Sequence, residues 1–314
     1  MTSTAFTSEE IAAFARSRRP ATGERPPPST RLSVVLPSYN QAEFIERTMN
    51  SLANQHYPAL QLIVLDGGST DGSQDVIRRY DDIISHYESG KDGGQAPALN
   101  KGFALATGDF VAWQNSDDLY LPEFFWSLDA AIRRYPDTDL VIANSYIIGP
   151  DDKILWGTKY GPFSWEYLAR VGWNLTSQSV FVRRDLAQKA GPFSNWRVCF
   201  DFEWFLRVTR SARSILHLKQ YGGAYRMHPA SKYSTIGMEE RDGLEKEILS
   251  QCGLAVDRNR PLAEQWPWRR KLLVARQRLH ESVLYPKRRI PFSHPLAALW
   301  ARMLNVTGSR LVGY

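Results

Sequence analysis

The sequence predicts an α/β fold with a doubly wound, mostly parallel sheet. Four short apolar runs alternate with helical segments across residues 31–115. Each run ends in a polar, glycine- or serine-containing turn, and that rhythm implies right-handed βαβ crossovers. With 314 residues, 43% of them hydrophobic, the chain is long enough to bury one large domain with extensions.

Residues 7–17 read as a helix, with Thr7 and Glu10 at capping-box spacing, and "RPATGERPPPST" as a proline-rich linker. "RLSVVLPSYN" is a β-branched strand. "QAEFIERTMNSLANQ" carries Phe44, Ile45, Thr48, Met49 and Leu52 at helical spacing. "LQLIVLD", "DIISHYES" and "DFVAWQ" are three further strands, separated by the helices "SQDVIRRY" and "GGQAPALNKGFALATG". Beyond residue 115, "LPEFFWSLDAAIRRYP" is a helix and "TDLVIANSYIIG" one or two strands. "LTSQSVFVRRDLAQKAGPF" is a strand and helix, and "CFDFEWFLRVTRSA" an amphipathic helix. "SILHLKQYGGAYRMHPASK" reads as two strands and a loop, and 232–251 and 262–285 as helices. The expected organisation is an N-terminal helix and linker (1–30), two halves of one domain (31–120 and 121–232) and a C-terminal helical, basic extension (233–314).

Net charge is +6 and the pI about 9.3, which favours an anionic partner. Cys199 and Cys252 have no CxxC spacing, so neither a zinc site nor a disulfide framework is expected, and a reducing compartment is. The N-terminus lacks a signal peptide's apolar core, and nowhere are there about 18 consecutive apolar residues. The expectation is a cytoplasmic protein, soluble or held on the inner face of the plasma membrane.

In doubly wound sheets ligands bind beyond the carboxyl ends of the strands. The turns "PSYN", "DGGSTDG", "ESGKDGG" and "QNSDD" all follow strands, so all four should gather on one rim. In "DGGSTDGS", Asp66 can accept hydrogen bonds from a base or ribose, although a tight turn with a helix cap at Ser69, Asp71 or Ser73 explains the same residues. In "QNSDD", Asp117 and Asp118 either cap the next helix or supply oxygens to a hard cation carrying a diphosphate.

The pieces "SVVLPSYNQAEFIERTMNSLANQHYP", "LQLIVLDGGSTDGS", "NKGFALATGDFVAWQNSDD" and "FDFEWFLR" together resemble the inverting family-two glycosyltransferases of GT-A fold, over residues 31–230. The resemblance implies that Pro37, Tyr39 and Asp66 line a nucleoside pocket and that Lys101 lies near the nucleotide. It places Asp117 on the ribose or metal side, makes Asp118 the metal ligand, and makes Asp201 the catalytic base. His228, in "YRMHPASK", occupies a loop that supplies a metal or diphosphate ligand in some relatives; as a lone histidine it reads first as a loop or core residue. Glu203 competes as base, and Asp201 with Arg207 also reads as a plain helix-face ion pair. Trp173, Trp196 and Trp204 are candidates for stacking on sugars or for core.

The resemblance further implies Mn2+ or Mg2+, a nucleoside diphosphate sugar (a UDP-sugar first), and a saccharide or lipid-linked acceptor. The sequence departs from the family at three places. Gly67 replaces the second aspartate of "DDGSTD", which questions uracil as the base; Asn115 stands where many members have an aspartate; and Phe200 replaces the glutamate of "ED". Residues 266–310 mix tryptophans, arginines and aliphatics, with Glu281 the only acid, which suits an anionic membrane surface or a packed helix with a solvated basic face. No nucleic-acid motif is present, so no nucleic-acid partner is expected. Two rivals are a processive synthase, whose "QxxRW" here reads "QWPWRR", and a non-catalytic sugar-nucleotide-binding module.

Overall fold

A computed structural model describes residues 26–160, 164–165, 168–169, 175–253 and 309–312. Its strands are β1 (Leu32–Ser38), β2 (Leu60–Asp66), β3 (Ile84–Ser89), β4 (Phe110–Trp113), β5 (Leu119–Tyr120), β6 (Leu140–Ile148), β7 (Ile154–Thr158), β8 (Val180–Arg183), β9 (Ile215–Arg226) and β10 (Ser309–Val312). The helices are α1 (Ile45–Ala53), α2 (Ser73–Arg78), α3 (Gln95–Leu105), α4 (Phe124–Arg134), α5 (Arg184–Ala190), α6 (Phe200–Ser211), α7 (Lys232–Thr235) and α8 (Met238–Gln251).

The sheet runs β10-β9-β6-β8-β4-β1-β2-β3. The first four strands are mutually parallel, in spatial order 3-2-1-4. The chain order therefore reverses between β1 and β4, a topological switch point that opens a crevice at the strand ends. Beyond it the sheet is mixed: β8 lies antiparallel to both β4 and β6, and β6 parallel to β9.

Alternation along the strands divides the core into two layers. Val35, Ile63 and Leu65 face α3, α5 and α6, while Leu32, Val34, Leu36, Leu62 and Val64 face α1, α2 and α4. Strands β1, β2 and β4 are largely apolar on both faces because both are covered by helices, whereas β3, ISHYES, is partly exposed. Helix α3 packs so closely on β1 that a Cβ on Gly102 would lie 2.3 Å from Cγ1 of Val35. Gly102→Ala would overpack this contact at a cost of about 1–3 kcal/mol.

Three differences from the sequence reading have local causes. "SILHLKQYGGAYRMHPASK" reads as two strands and a loop, yet one strand, β9, runs from Ile215 to Arg226 through "YGGAY". A Cβ on Gly222 would meet Cζ of Phe124 at 2.4 Å, and one on Gly223 would meet Cγ of Gln178 at 2.5 Å, so these glycines serve close packing inside a strand. The two-residue β5 is too short to leave a period, and exists by pairing with Gly223 and Ala224 of β9. Strand β7 pairs antiparallel with β6. The expected helices at 7–17 and 262–285 lie outside the described residues, as does most of the basic C-terminal segment; within it, Ser309–Val312 pair in parallel with the start of β9.

Candidate active site

All four predicted turns meet at the switch point, around a cleft of about 1010 Å3. Pro37 and Ser38 end β1 and Tyr39 follows it, Gly67 and Gly68 follow β2, Lys91 to Gln95 follow β3, and Asn115 to Asp117 follow β4. Tyr225, Ala230, Ser231 and Lys232 close the other side. The turns are laced together: backbone N–H groups of Asn40 and Gln41 donate to the hydroxyls of Ser69 and Ser73, and that of Ala42 to Asp71, each at 2.8 Å. Asp71 also accepts from the N–H of Ser73 and so braces the turn, while the helix N-cap itself is Gly72.

Asp117, which lines the cleft, meets the buried His228, Oδ2 to Nε2 at 3.0 Å, although 111 residues separate them. His228 is buried and packs on Phe44, with ring centroids 4.6 Å apart. Asp118 takes a different place from the metal ligand expected of it. It is fully buried; Oδ1 accepts from the backbone N–H of Arg226 at 2.8 Å and Oδ2 from Nδ2 of Asn115 at 2.9 Å. Burial and the neighbouring Asp117 push its pKa well up, against the pull of the Arg226 N–H and Asn115. With both oxygens committed inward, the loop offers Asp117 alone to the cleft. No group of three or more His, Cys, Asp or Glu side chains that could hold a metal ion occurs among the described residues; the Asp117–His228 pair joins one carboxylate and one imidazole.

Asp201 opens α6, partly exposed, and burial of its carboxyl pushes the pKa up to about 6 despite the N–H of Phe202 and the charge of Lys232. Glu203 is occupied elsewhere. Its two oxygens hold Arg207 at 2.6 and 2.8 Å and accept from Ser194. The helix-face ion pair therefore exists, but between Glu203 and Arg207, and Asp201 is left out of it. Trp204 is core: it is buried and stacks on Phe193 at 4.5 Å. Trp196 packs partly buried against the same layer, and Trp173 lies outside the described residues.

Among the expected nucleotide residues, Pro37 and the exposed Tyr39 line the cleft. Asp66 lies beneath it. Its oxygens accept from the N–H groups of Gly68 and Ser69 and from the hydroxyls of Ser69 and Ser89, so it braces the turn rather than facing a ligand. Lys101 is also displaced from the role expected of it. It projects from α3 to an ion pair with Glu88 and is not part of the cleft lining.

The profile described as Glycosyl transferase family 2 matches residues 33–189, half of the chain. The chain belongs to this family. It is a glycosyltransferase, and its curated relatives carry the same description. An uncharacterized glycosyltransferase of Nostoc sp. is 29% identical over 241 residues, covering 71% of this chain and 72% of the relative. A PGL/p-HBAD biosynthesis glycosyltransferase of Mycobacterium bovis is 29% identical over 182 residues, covering 56% and 68%. Among solved structures, TarS 1–349 of S. aureus in complex with UDP-GlcNAc is similar with a TM-score of 0.59, at 19% identity over 72% of this chain and 67% of that one. A mannosyltransferase from Pyrobaculum calidifontis in complex with GDP-Man and Mn2+ is similar at 0.54, with 20% identity over 94% and 87%. The fold is the GT-A fold of these neighbours.

Lys232 is a residue of this glycosyltransferase that sequence reasoning passed over. At the start of α7, its ammonium donates to Oε1 of Gln95 at 2.8 Å, and Gln95 donates to Oδ1 of Asn115 at 2.9 Å. Crowding by the cleft walls lowers the pKa of Lys232, and the charges of Asp201 and Asp117 pull the other way. This cation thus senses both the expected base and the cleft carboxylate. Its only signal in the sequence was a place four residues after His228.

Proposed function

We propose that this glycosyltransferase moves a sugar from a nucleoside diphosphate donor, a UDP-sugar first, to a hydroxyl of a saccharide or lipid-linked acceptor. The anomeric centre is inverted, and the product belongs to a surface polysaccharide or glycolipid. The observation that carries this reading is a cleft lined by Asp117 and Lys232, with the buried His228 bonded to Asp117 and with Asp201 near enough to Lys232 for its charge to act there. Two neighbours of the same fold hold UDP-GlcNAc or GDP-Man, and one relative is named for teichuronic acid biosynthesis, which supports the donor and product classes.

A carboxylate beside an imidazole fits Mn2+ or Mg2+, which retain water and phosphate oxygens as their other ligands. Asp117 and His228 would hold the cation, which when bound offsets charge on the departing diphosphate. Lys232 adds a positive charge from the other side of the cleft. Asp201 removes the acceptor hydroxyl's proton as that oxygen attacks the anomeric carbon opposite the leaving group. A carboxyl near pKa 6 is poised for this at neutral pH, and such help contributes about 10²–10⁴-fold. In-line attack turns an α-linked donor into a β-glycoside.

The basic segment 266–310 suits contact with an anionic membrane surface at the cytoplasmic face. No helix among the described residues is long and apolar enough to cross a membrane. Sedimentation with anionic vesicles at low salt tests this part. The central test is a panel of nucleotide sugars and acceptors with Mn2+ or with chelator, the product's anomeric configuration being read by NMR. Retention of configuration, or full activity in chelator, would overturn the corresponding part of the proposal.

A further inference from the structure

The cleft wall beyond β2 lacks an available carboxylate from the "DGG" turn itself. Asp66 is saturated by protein donors, and Gly67 has no side chain. A carboxylate arrives there from another turn. A Cβ on Gly67 would lie 3.3 Å from both Oδ1 and Oδ2 of Asp92 and 3.2 Å from Cδ2 of Tyr39. Asp92 therefore fills the space that a side chain at position 67 would take, beside the exposed Tyr39 ring, and lines the cleft.

The placement is built into the fold. The N–H of Gly90 donates to the carbonyl of Asp66 at 2.9 Å, and the hydroxyl of Ser89 to its carboxylate at 2.6 Å, pinning the β3–α3 turn against the β2–α2 turn. Oδ1 of Asp92 accepts from the N–H of Gly94 at 2.8 Å, which fixes the side chain; Oδ2 accepts no hydrogen bond among the described residues. One oxygen is thus held and one is offered, next to a ring able to stack on a base.

We propose that Asp92 reads the donor's nucleobase, selecting a base with a ring N–H beside a carbonyl (uracil, thymine or guanine) over cytosine and adenine. This rests on the cleft being a nucleoside diphosphate site. A carboxylate only accepts hydrogen bonds. N3–H of uracil or thymine and N1–H of guanine satisfy it, whereas N3 of cytosine and N1 of adenine turn a lone pair towards it. A site whose polar group is left unpaired by the wrong ligand discriminates strongly. Gly67 is then the clearance that admits Asp92.

Calorimetric titration of UDP, GDP, CDP and ADP with Mn2+ tests this on the full chain. UDP or GDP should bind at least about tenfold tighter than CDP and ADP. Asp92→Asn keeps an acceptor for Gly94 N–H, so the fold should hold, and the preference should shrink to less than about threefold. Gly67→Asp should weaken UDP and GDP by crowding Asp92, and the double variant Gly67→Asp/Asp92→Gly should restore the preference from the other side. Equal affinity for all four in the wild type, or an equal loss for all four in Asp92→Asn, overturns the inference and leaves the nucleotide reading standing. Binding of none by the wild type overturns both.

Discussion

Oδ2 of Asp117, a residue of the cleft wall, faces Nε2 of the buried His228 across 3.0 Å, while Asp118, one residue on, is fully buried with both oxygens hydrogen-bonded inside the protein. The hydroxyl of Thr48 on α1 donates to the carbonyls of Ser116 and Asp118, at 3.0 and 2.9 Å, and so holds the loop in this orientation. The two carboxylates avoid each other by serving different environments.

Substitution should therefore separate them. Asp117→Asn should leave the melting temperature unchanged and weaken Mn2+-dependent UDP binding at least about tenfold, as lost metal ligation implies. Asp118→Asn turns an amide towards Nδ2 of Asn115 or the N–H of Arg226, and should cost about 1–3 kcal/mol of stability by urea unfolding. Equal phenotypes would refute the division of labour.

Asp201→Asn should lower turnover by about 10²–10⁴-fold with donor affinity unchanged. Glu203→Gln should keep most of the turnover, because its partner is Arg207. A reversed pattern would move the base to Glu203.

Asp201 also makes a pH prediction. Burial raises its pKa from 3.8 to about 6, so the folded state holds the proton more tightly than the unfolded one. That contribution to stability is complete below 3.8 and is lost as pH rises through 6. Asp201→Asn should thus be more stable than wild type at pH 8, by roughly 1–2 kcal/mol, and the gain should fade towards pH 4. Denaturant melts across this range would show it.

Lys232→Met should weaken UDP binding about tenfold and flatten its salt dependence, while leaving uridine binding untouched. A parallel loss for uridine would mean that the side chain shapes the pocket instead of meeting the diphosphate.

Arg226 is fully buried, donating to the carbonyls of Asp117 and Gly149 and pairing with Asp152 at 2.5 Å. Arg226→Lys loses the planar fork and should cost about 3–5 kcal/mol in urea unfolding, since carbonyls and a carboxylate are left short of donors. A cost within about 0.5 kcal/mol would make the network incidental.

Much of the fold was legible because its signals are local. The apolar runs of β1, β2 and β4 are bounded by turn residues, and Ile45, Thr48, Met49 and Leu52 repeat at the period of α1, all four buried. Strand β5 carried no signal, since two residues show no period, and the single strand β9 reads as two because the close packing of Gly222 and Gly223 against Phe124 and Gln178 leaves no local mark.

The sequence by itself determined that four polar turns share one rim, because strand direction follows from the parallel crossovers and every turn follows a strand. It also determined the family, through the order and spacing of its motifs. Only the tertiary structure decided which side chains reach the cleft. Asp118 is turned inward by an N–H 108 residues away, Lys101 is drawn off by Glu88, Asp66 is consumed by its own turn and Ser89, and Asp92 is set over Gly67 by a neighbouring loop. A carboxylate's availability depends on which donors surround it, and those donors come from distant parts of the chain.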